Sequence, residues 1–178
     1  MSLRSQIVAG AVVSGLALAS SAKAAGPGLG KDISEDELSA WHISIAPDGE
    51  NLPPGSGSVK AGADVYAAKC TQCHGETGTE GPTDPLAGGI GSLTSDAPQK
   101  TVGSFWPHAT TLFDYTRRAM PFDAPQSLTA DEVYAVTAYV LYLNDIVGDD
   151  MVLDAASLLA IEMPNRDGFV DHSSKPAE

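Results

Sequence analysis

Basic side chains are scarce in this sequence. Its 178 residues contain 10 Lys+Arg against 23 Asp+Glu, and the formal net charge is −13. A chain with this negative charge repels phosphate groups, which argues against nucleic acid or an anionic membrane surface as a partner. The charge instead favours partners that present a basic patch, because electrostatic attraction steers such a patch into contact.

A second long hydrophobic run is also lacking. The apolar stretch 7–18 follows Arg4, is too short to span a bilayer comfortably, and precedes Ala22-Lys23-Ala24, which fits the small-x-small rule for signal cleavage. We therefore expect residues 1–24 to be a signal peptide that is cleaved near Ala24, with an uncleaved membrane anchor as the alternative. The product is then expected in the periplasm, without insertion into the membrane.

Strand-like alternation of apolar and polar residues is missing as well, and helical patterns replace it. Helices are predicted over 59–69, over about 110–118 and from Thr129 to about Asn144, where Thr129 and Glu132 form a capping box. Shorter helices are expected after Ser34 and near 154–160. We predict an all-α fold with long loops, divided into the extension 25–58, a domain at 59–145 and the extension 146–178. The Gly- and Pro-rich loop at 75–103 is long enough to suggest that it wraps a bound group.

The chain has only two cysteines, Cys70 and Cys73, within "KCTQCHG". A disulfide at this spacing is strained, a zinc site needs two further ligands, and a thioredoxin-like pair needs a βαβ context. C-x-x-C-H is instead typical of covalent haem attachment. Two thiols one short turn apart can each bond a vinyl group on one edge of a haem, and His74 then lies beneath the iron. We predict one haem c.

The second axial ligand is predicted to be Met120. Pro121 follows it and cannot continue the preceding helix, so the thioether falls on a rigid turn just after the helix end. The alternatives are that Met120 is a core methionine and that the iron ligand is another residue, with His108 the first of these. The remaining alternatives are His42, His172, Met151 and Met163.

The segments "YAAKCTQCHG", "RRAMPF" and "VTAYVLYLN" resemble the class I c-type cytochromes. The resemblance implies an attachment helix packed against the last helix, with Gly62 and Tyr66 meeting Tyr139. It also implies that a backbone carbonyl accepts the proton on Nδ1 of His74, which orients such a ligand. Candidates for that carbonyl are Pro82, Asp84 and Pro85. Trp106, Arg117 and Arg118, near Tyr115, are the candidate contacts of the haem propionates.

From about residue 34 to 170 the chain is similar to the cytochrome subunit of Sox sulfane dehydrogenases and to monohaem cytochromes paired with molybdenum sulfite dehydrogenases. This implies an electron-transfer protein that is not an enzyme by itself. It would accept electrons from a molybdenum-containing dehydrogenase subunit in inorganic sulfur oxidation and pass them to a downstream c-type cytochrome or oxidase.

Some alternatives remain open at the level of sequence. The Sox subunit usually has two haem domains, whereas this chain has a single C-x-x-C-H, so a sulfite-oxidising partner is possible. A freely diffusing electron shuttle and a haem sensor or enzyme with an open sixth position are further alternatives. The last is a metal-free binding module in which the two cysteines form a disulfide.

Overall fold

The computed structural model describes residues 29–170, so the predicted signal peptide and His172 lie outside the described residues. The helices are α1 (Glu35–Ser39), α2 (Val59–Lys69), α3 (Thr71–His74), α4 (Val102–Phe105), α5 (Ala109–Ala119), α6 (Ala130–Leu143) and α7 (Ala155–Leu159), with a 3₁₀ turn at Ser92–Thr94. Two strands, β1 (Ser56–Ser58) and β2 (Val152–Asp154), complete the elements. Within the described residues, no helix is long and apolar enough to cross a membrane. The predicted all-α class is confirmed, and the sheet is small.

Helix α6 lies at the centre of the fold and packs against α2, α5 and both strands. It begins at the predicted capping box, in which Oγ1 of Thr129 accepts from the Glu132 amide at 3.2 Å and Glu132 Oε2 accepts from the Thr129 amide at 2.8 Å. Eight of its fourteen residues are buried, including the consecutive residues 133–138. The buried surface is therefore wider than the single apolar stripe of the sequence, because neighbours pack on α6 from several sides.

The crossing of α2 over α6 depends on glycine. A Cβ at Gly62 would overlap the carbonyl of Ala135, so only glycine permits this approach of the two backbones. The rings of Tyr66 and Tyr139 meet one turn further on, with centroids 5.1 Å apart. These contacts confirm the predicted pairing of the two helices. Gly57 on β1 approaches the same alanine just as closely, which the sequence did not indicate.

The sequence shows no strand-like alternation, yet the described residues include one small sheet of two short strands. β1 and β2 pair antiparallel, with Ser56 opposite Asp154 and Ser58 opposite Val152. Three residues are too few to show alternation, and the two strands are far apart in sequence. Each strand leads directly into a helix, because Ser58 caps α2 and Asp154 caps α7 through their side-chain oxygens.

Both terminal segments pack onto the same core as the helices. Ile45, Leu153, Leu158 and Met163 are all buried in the cluster that contains the apolar side chains of α6. We call residues 43–58 and 146–165 the terminal clasp. Hydrogen bonds secure its two ends, because the Ile45 amide donates to Asp114 at 2.8 Å and Asn165 Nδ2 donates to the Phe105 carbonyl at 2.7 Å. The clasp is therefore an integral part of the hydrophobic core.

Candidate functional site

The two cysteines lie where α2 gives way to α3. The amide of Cys70 still donates to the Tyr66 carbonyl at 2.8 Å, and the amide of His74 donates to the Cys70 carbonyl at 3.0 Å. Cys70 is partly buried and Cys73 is exposed. Burial is the main reason that the pKa of Cys70 is raised to about 11. The two thiols therefore lie one short turn apart at the end of α2, directly before His74.

His74 is held from the loop that follows it. Its Nδ1 lies 3.0 Å from Oγ1 of Thr83, and that hydroxyl donates to the Cys73 carbonyl at 2.8 Å. Burial lowers the pKa of His74, and a backbone hydrogen bond with Asp84 acts in the opposite direction. A lowered pKa favours the neutral imidazole, which is the form that binds a metal. Asp84 was among the predicted backbone partners, whereas the Thr83 side chain was missed.

The loop between α3 and α4 stays close to residues 59–74, which we call the attachment segment because they carry Cys70, Cys73 and His74. Tyr66 donates from its hydroxyl to the Gly75 carbonyl at 3.0 Å. A Cβ at Gly81 would overlap the Cys73 carbonyl, so the loop backbone passes directly over this residue. Within 75–100 only Gly78 and Ala87 are buried. The predicted long loop is confirmed, although the short 3₁₀ turn and the start of α4 were not foreseen.

Met120 follows α5 directly. Its amide donates to the Thr116 carbonyl at 3.1 Å, its backbone is extended, and its side chain is partly buried. His108, the first alternative, directly precedes the other end of the same helix. An eleven-residue helix is about 16 Å long, so these two residues occupy distant places. Met120 as the axial ligand stays a prediction.

The other candidate ligands have different surroundings. Met163 is 3% exposed and belongs to the hydrophobic core, and Met151 packs beside that core. His42 is exposed, and its Nε2 lies 3.3 Å from Asn51 Nδ2. Each of these side chains therefore has an ordinary structural place in the fold.

The three candidate propionate contacts lie on or near α5 and already have protein partners. Trp106 is partly buried and meets the ring of Tyr115 edge-on, at 5.9 Å between centroids. Arg117 donates to the Ile43 carbonyl at 3.1 Å. Arg118 pairs with Asp114 through two hydrogen bonds. The two arginines thus contact the clasp or the residue that holds it, and their contact with propionates stays a prediction.

The residues at this site fit a haem c. The single hydroxyl proton of Thr83 is used on the Cys73 carbonyl, so Oγ1 accepts from Nδ1–H of His74 and the lone pair of Nε2 remains for a metal. Two thiols three residues apart, followed directly by this imidazole, match the attachment chemistry of a c-type haem, and Met120 is the thioether predicted to complete the ligands of the iron.

Comparison with known proteins identifies the family of this chain. The family model described as cytochrome c matches residues 59–144. Among solved structures, a chain in the crystal structure of the sulfane dehydrogenase SoxCD from Paracoccus pantotrophus is 41% identical, with a TM-score of 0.77. That match covers 85% of this chain and 80% of the other, so it extends beyond the family model into the terminal segments. A search of curated proteins finds no match.

Proposed function

The chain belongs to the class I c-type cytochromes, and we propose that it is the electron-accepting subunit or partner of a molybdenum-containing dehydrogenase that oxidises inorganic sulfur compounds. One observation carries the proposal. The chain is 41% identical to a chain of a sulfane dehydrogenase, and the match extends over most of both chains. A general shuttle would need to share only the cytochrome domain, whereas this likeness includes the segments outside it.

The covalently bound haem c supplies an iron that changes between Fe(II) and Fe(III). When bound, the haem would be held covalently by Cys70 and Cys73 at the end of α2, and His74 and Met120 would supply the ligands of its iron. A thioether ligand raises the reduction potential relative to a second imidazole. This suits an acceptor of electrons from a molybdenum centre. The chain itself performs no substrate chemistry.

The acidic surface supports a second part of the proposal. With 23 acidic against 10 basic side chains, the protein attracts a carrier that presents a basic face. We propose that a c-type cytochrome or an oxidase of this kind takes the electrons onward. We propose that the protein receives and passes on electrons in the periplasm. The signal peptide predicted at residues 1–24 supports this location.

Purification of the native protein from a periplasmic extract tests this function. Haem is read from the optical spectrum and molybdenum from elemental analysis, and sulfite and thiosulfate are then added to the purified material. We expect molybdenum in stoichiometric amount with haem, and reduction of the haem by one of the two substrates. Haem without molybdenum, and without reduction by either compound, would contradict the partnership and indicate a free shuttle.

A carbon monoxide titration separates electron transfer from gas sensing or haem catalysis. If His74 and Met120 both remain bound, the reduced protein should not bind carbon monoxide rapidly. Rapid binding would show an open sixth position and would contradict the electron-transfer assignment as stated here.

A further inference from the structure

The Thr83 side chain is placed between two atoms of the attachment segment. Its Oγ1 lies 3.0 Å from Nδ1 of His74 and 2.8 Å from the carbonyl oxygen of Cys73. The backbone amide of Thr83 also donates to the Cys73 carbonyl, at 3.3 Å. This threonine therefore binds the residue that carries a thiol and the residue that binds iron.

A count of protons decides the direction of these bonds. A threonine hydroxyl has one proton to donate and lone pairs with which to accept. The Cys73 carbonyl can only accept, so the hydroxyl proton is directed to it. Oγ1 then accepts from Nδ1–H of His74, which fixes the tautomer of the ring and leaves Nε2 unprotonated.

The loop backbone is held where this arrangement requires it. Gly81 passes so close to the Cys73 carbonyl that a Cβ would overlap it, and Pro82 restricts the backbone immediately before Thr83. The imidazole thus faces the side chain of a loop residue whose backbone position is fixed on the side that precedes it.

We propose that Thr83 is a positioning residue for the iron ligand: its hydroxyl orients the His74 ring, strengthens the ring as a donor and lowers the reduction potential of the haem. An acceptor on Nδ1–H increases the basicity of a ligating imidazole, and a more basic ligand favours Fe(III) over Fe(II). This inference rests on ligation by His74 and is independent of the molybdenum partner, so its failure would leave the proposed function intact.

Two variants of the full-length holoprotein test the role of the hydroxyl. Thr83→Val keeps the shape of the side chain and removes the hydroxyl, whereas Thr83→Ser keeps the hydroxyl and removes the methyl group. Redox titration and nuclear magnetic resonance of the Nδ1 proton are measured for both. We expect Thr83→Val to raise the reduction potential and to speed exchange of the Nδ1 proton about fivefold, the factor expected for one neutral hydrogen bond. Thr83→Ser should resemble the wild type in both measurements.

The same experiment has two outcomes that would overturn the proposal. An unchanged potential and unchanged proton exchange in Thr83→Val would assign the orientation of His74 to the backbone alone. Equal effects of both variants would assign it to packing of the methyl group. If Thr83→Val does not mature, the wild-type protein still decides, because the Nδ1 proton should show a nuclear Overhauser effect to the Thr83 side chain. Its absence would likewise overturn the proposal.

Discussion

Helix α6 and the loop between α3 and α4 are organised in opposite ways. Eight of the fourteen residues of α6 are buried, and they pack against helices, strands and the terminal clasp. Of the loop residues 75–100 only Gly78 and Ala87 are buried, and hydrogen bonds hold the loop in place: Tyr66 on α2 donates to its Gly75 carbonyl, and its Thr83 hydroxyl donates to the Cys73 carbonyl. The protein thus completes one region with its own side chains, whereas the other is ordered around the residues that attach and bind haem c.

The two regions depend on different kinds of residues. Around α6, apolar volume and two glycines decide whether the elements can approach. In the loop, a few polar atoms and thiols decide where the chain lies and what it binds. Substitutions in the first region should therefore change stability, and substitutions in the second should change the cofactor and its properties.

The largest effect is expected from removing a thiol. Cys70→Ala and Cys73→Ala should each greatly reduce the fraction of chains that carry haem after denaturation, because each loses one of the two thioether bonds. Mass spectrometry of protein matured in cells measures this fraction. Gln72→Ala is the matched control, since this exposed residue lies between the cysteines and should leave attachment unchanged. If either cysteine variant carries haem in the same fraction of chains as the wild type, the attachment segment does not determine haem binding as described here.

A large loss of stability is expected at the helix crossing. Gly62→Ala should lower the free energy of unfolding by about 3 kcal/mol, because the new Cβ overlaps the Ala135 carbonyl and the helices must separate. Denaturant unfolding of the holoprotein measures the loss. Gly148→Ala serves as the control, because it is exposed and its Cβ would meet only the end of the Asp150 side chain. Similar losses in the two variants would show that the crossing is not closely packed.

The clasp should depend on Asp114 and on pH. Asp114→Asn removes the charge that binds Arg118 and weakens the bond from the Ile45 amide, at a cost of about 2 kcal/mol. Burial acts to raise the pKa of Asp114, but the hydrogen bonds from Arg118 and Ile45 outweigh burial and the net shift is downward. Its contribution to stability is therefore present above the ordinary aspartate pKa, about 4, and is lost as pH falls through the lowered pKa.

Unfolding of wild type and Asp114→Asn across that pH range measures this contribution. The difference between them should shrink as the solution is acidified. Asp123→Asn, at an exposed position after Pro121, should cost almost nothing at any pH. If the difference in stability stays constant on acidification, the contribution of Asp114 does not depend on its charge, which would contradict this prediction.

The smallest effect is expected at the start of α6. Thr129→Ala removes the hydroxyl that accepts from the Glu132 amide and should cost about 1 kcal/mol. The haem spectrum should not change, since this cap belongs to the region that the protein completes by itself. Ser127→Ala, at an exposed position just before it, is the control for both measurements. A changed haem spectrum in Thr129→Ala would show that a substitution in the α6 region also alters the haem, which would contradict the distinction between the two regions.

The sequence predicted the helices because their signals are local. The Thr129 capping box, the glycine and tyrosine of α2, and the C-x-x-C-H motif are each contained within a few residues. The sheet was missed because β1 and β2 are three residues long and pair across nearly the whole domain. Likewise, no local pattern shows that Asp114 holds Ile45, or that Arg117 and Arg118 contact the clasp segment and its anchor.

The site shows the same limit. Cys70, Cys73 and His74 could be predicted as a unit because the chemistry sets their spacing. Thr83 could not, because its role depends on how the loop returns to Cys73 and on where its one proton goes. A search for hydroxyl side chains in the loop after the motif would have included it among several serines and threonines, with no means of choosing.

The near-infrared spectrum of the oxidised holoprotein tests the central claim most directly, with wild type, Met120→Ala and Met151→Ala measured side by side. The claim is that the loop and α5 bring His74 and Met120 to one haem iron. A sulfur-to-iron band should be present in the wild type and in Met151→Ala, and absent from Met120→Ala, whose reduction potential should also fall. A band that persists in Met120→Ala, or that is missing from the wild type, would contradict the account.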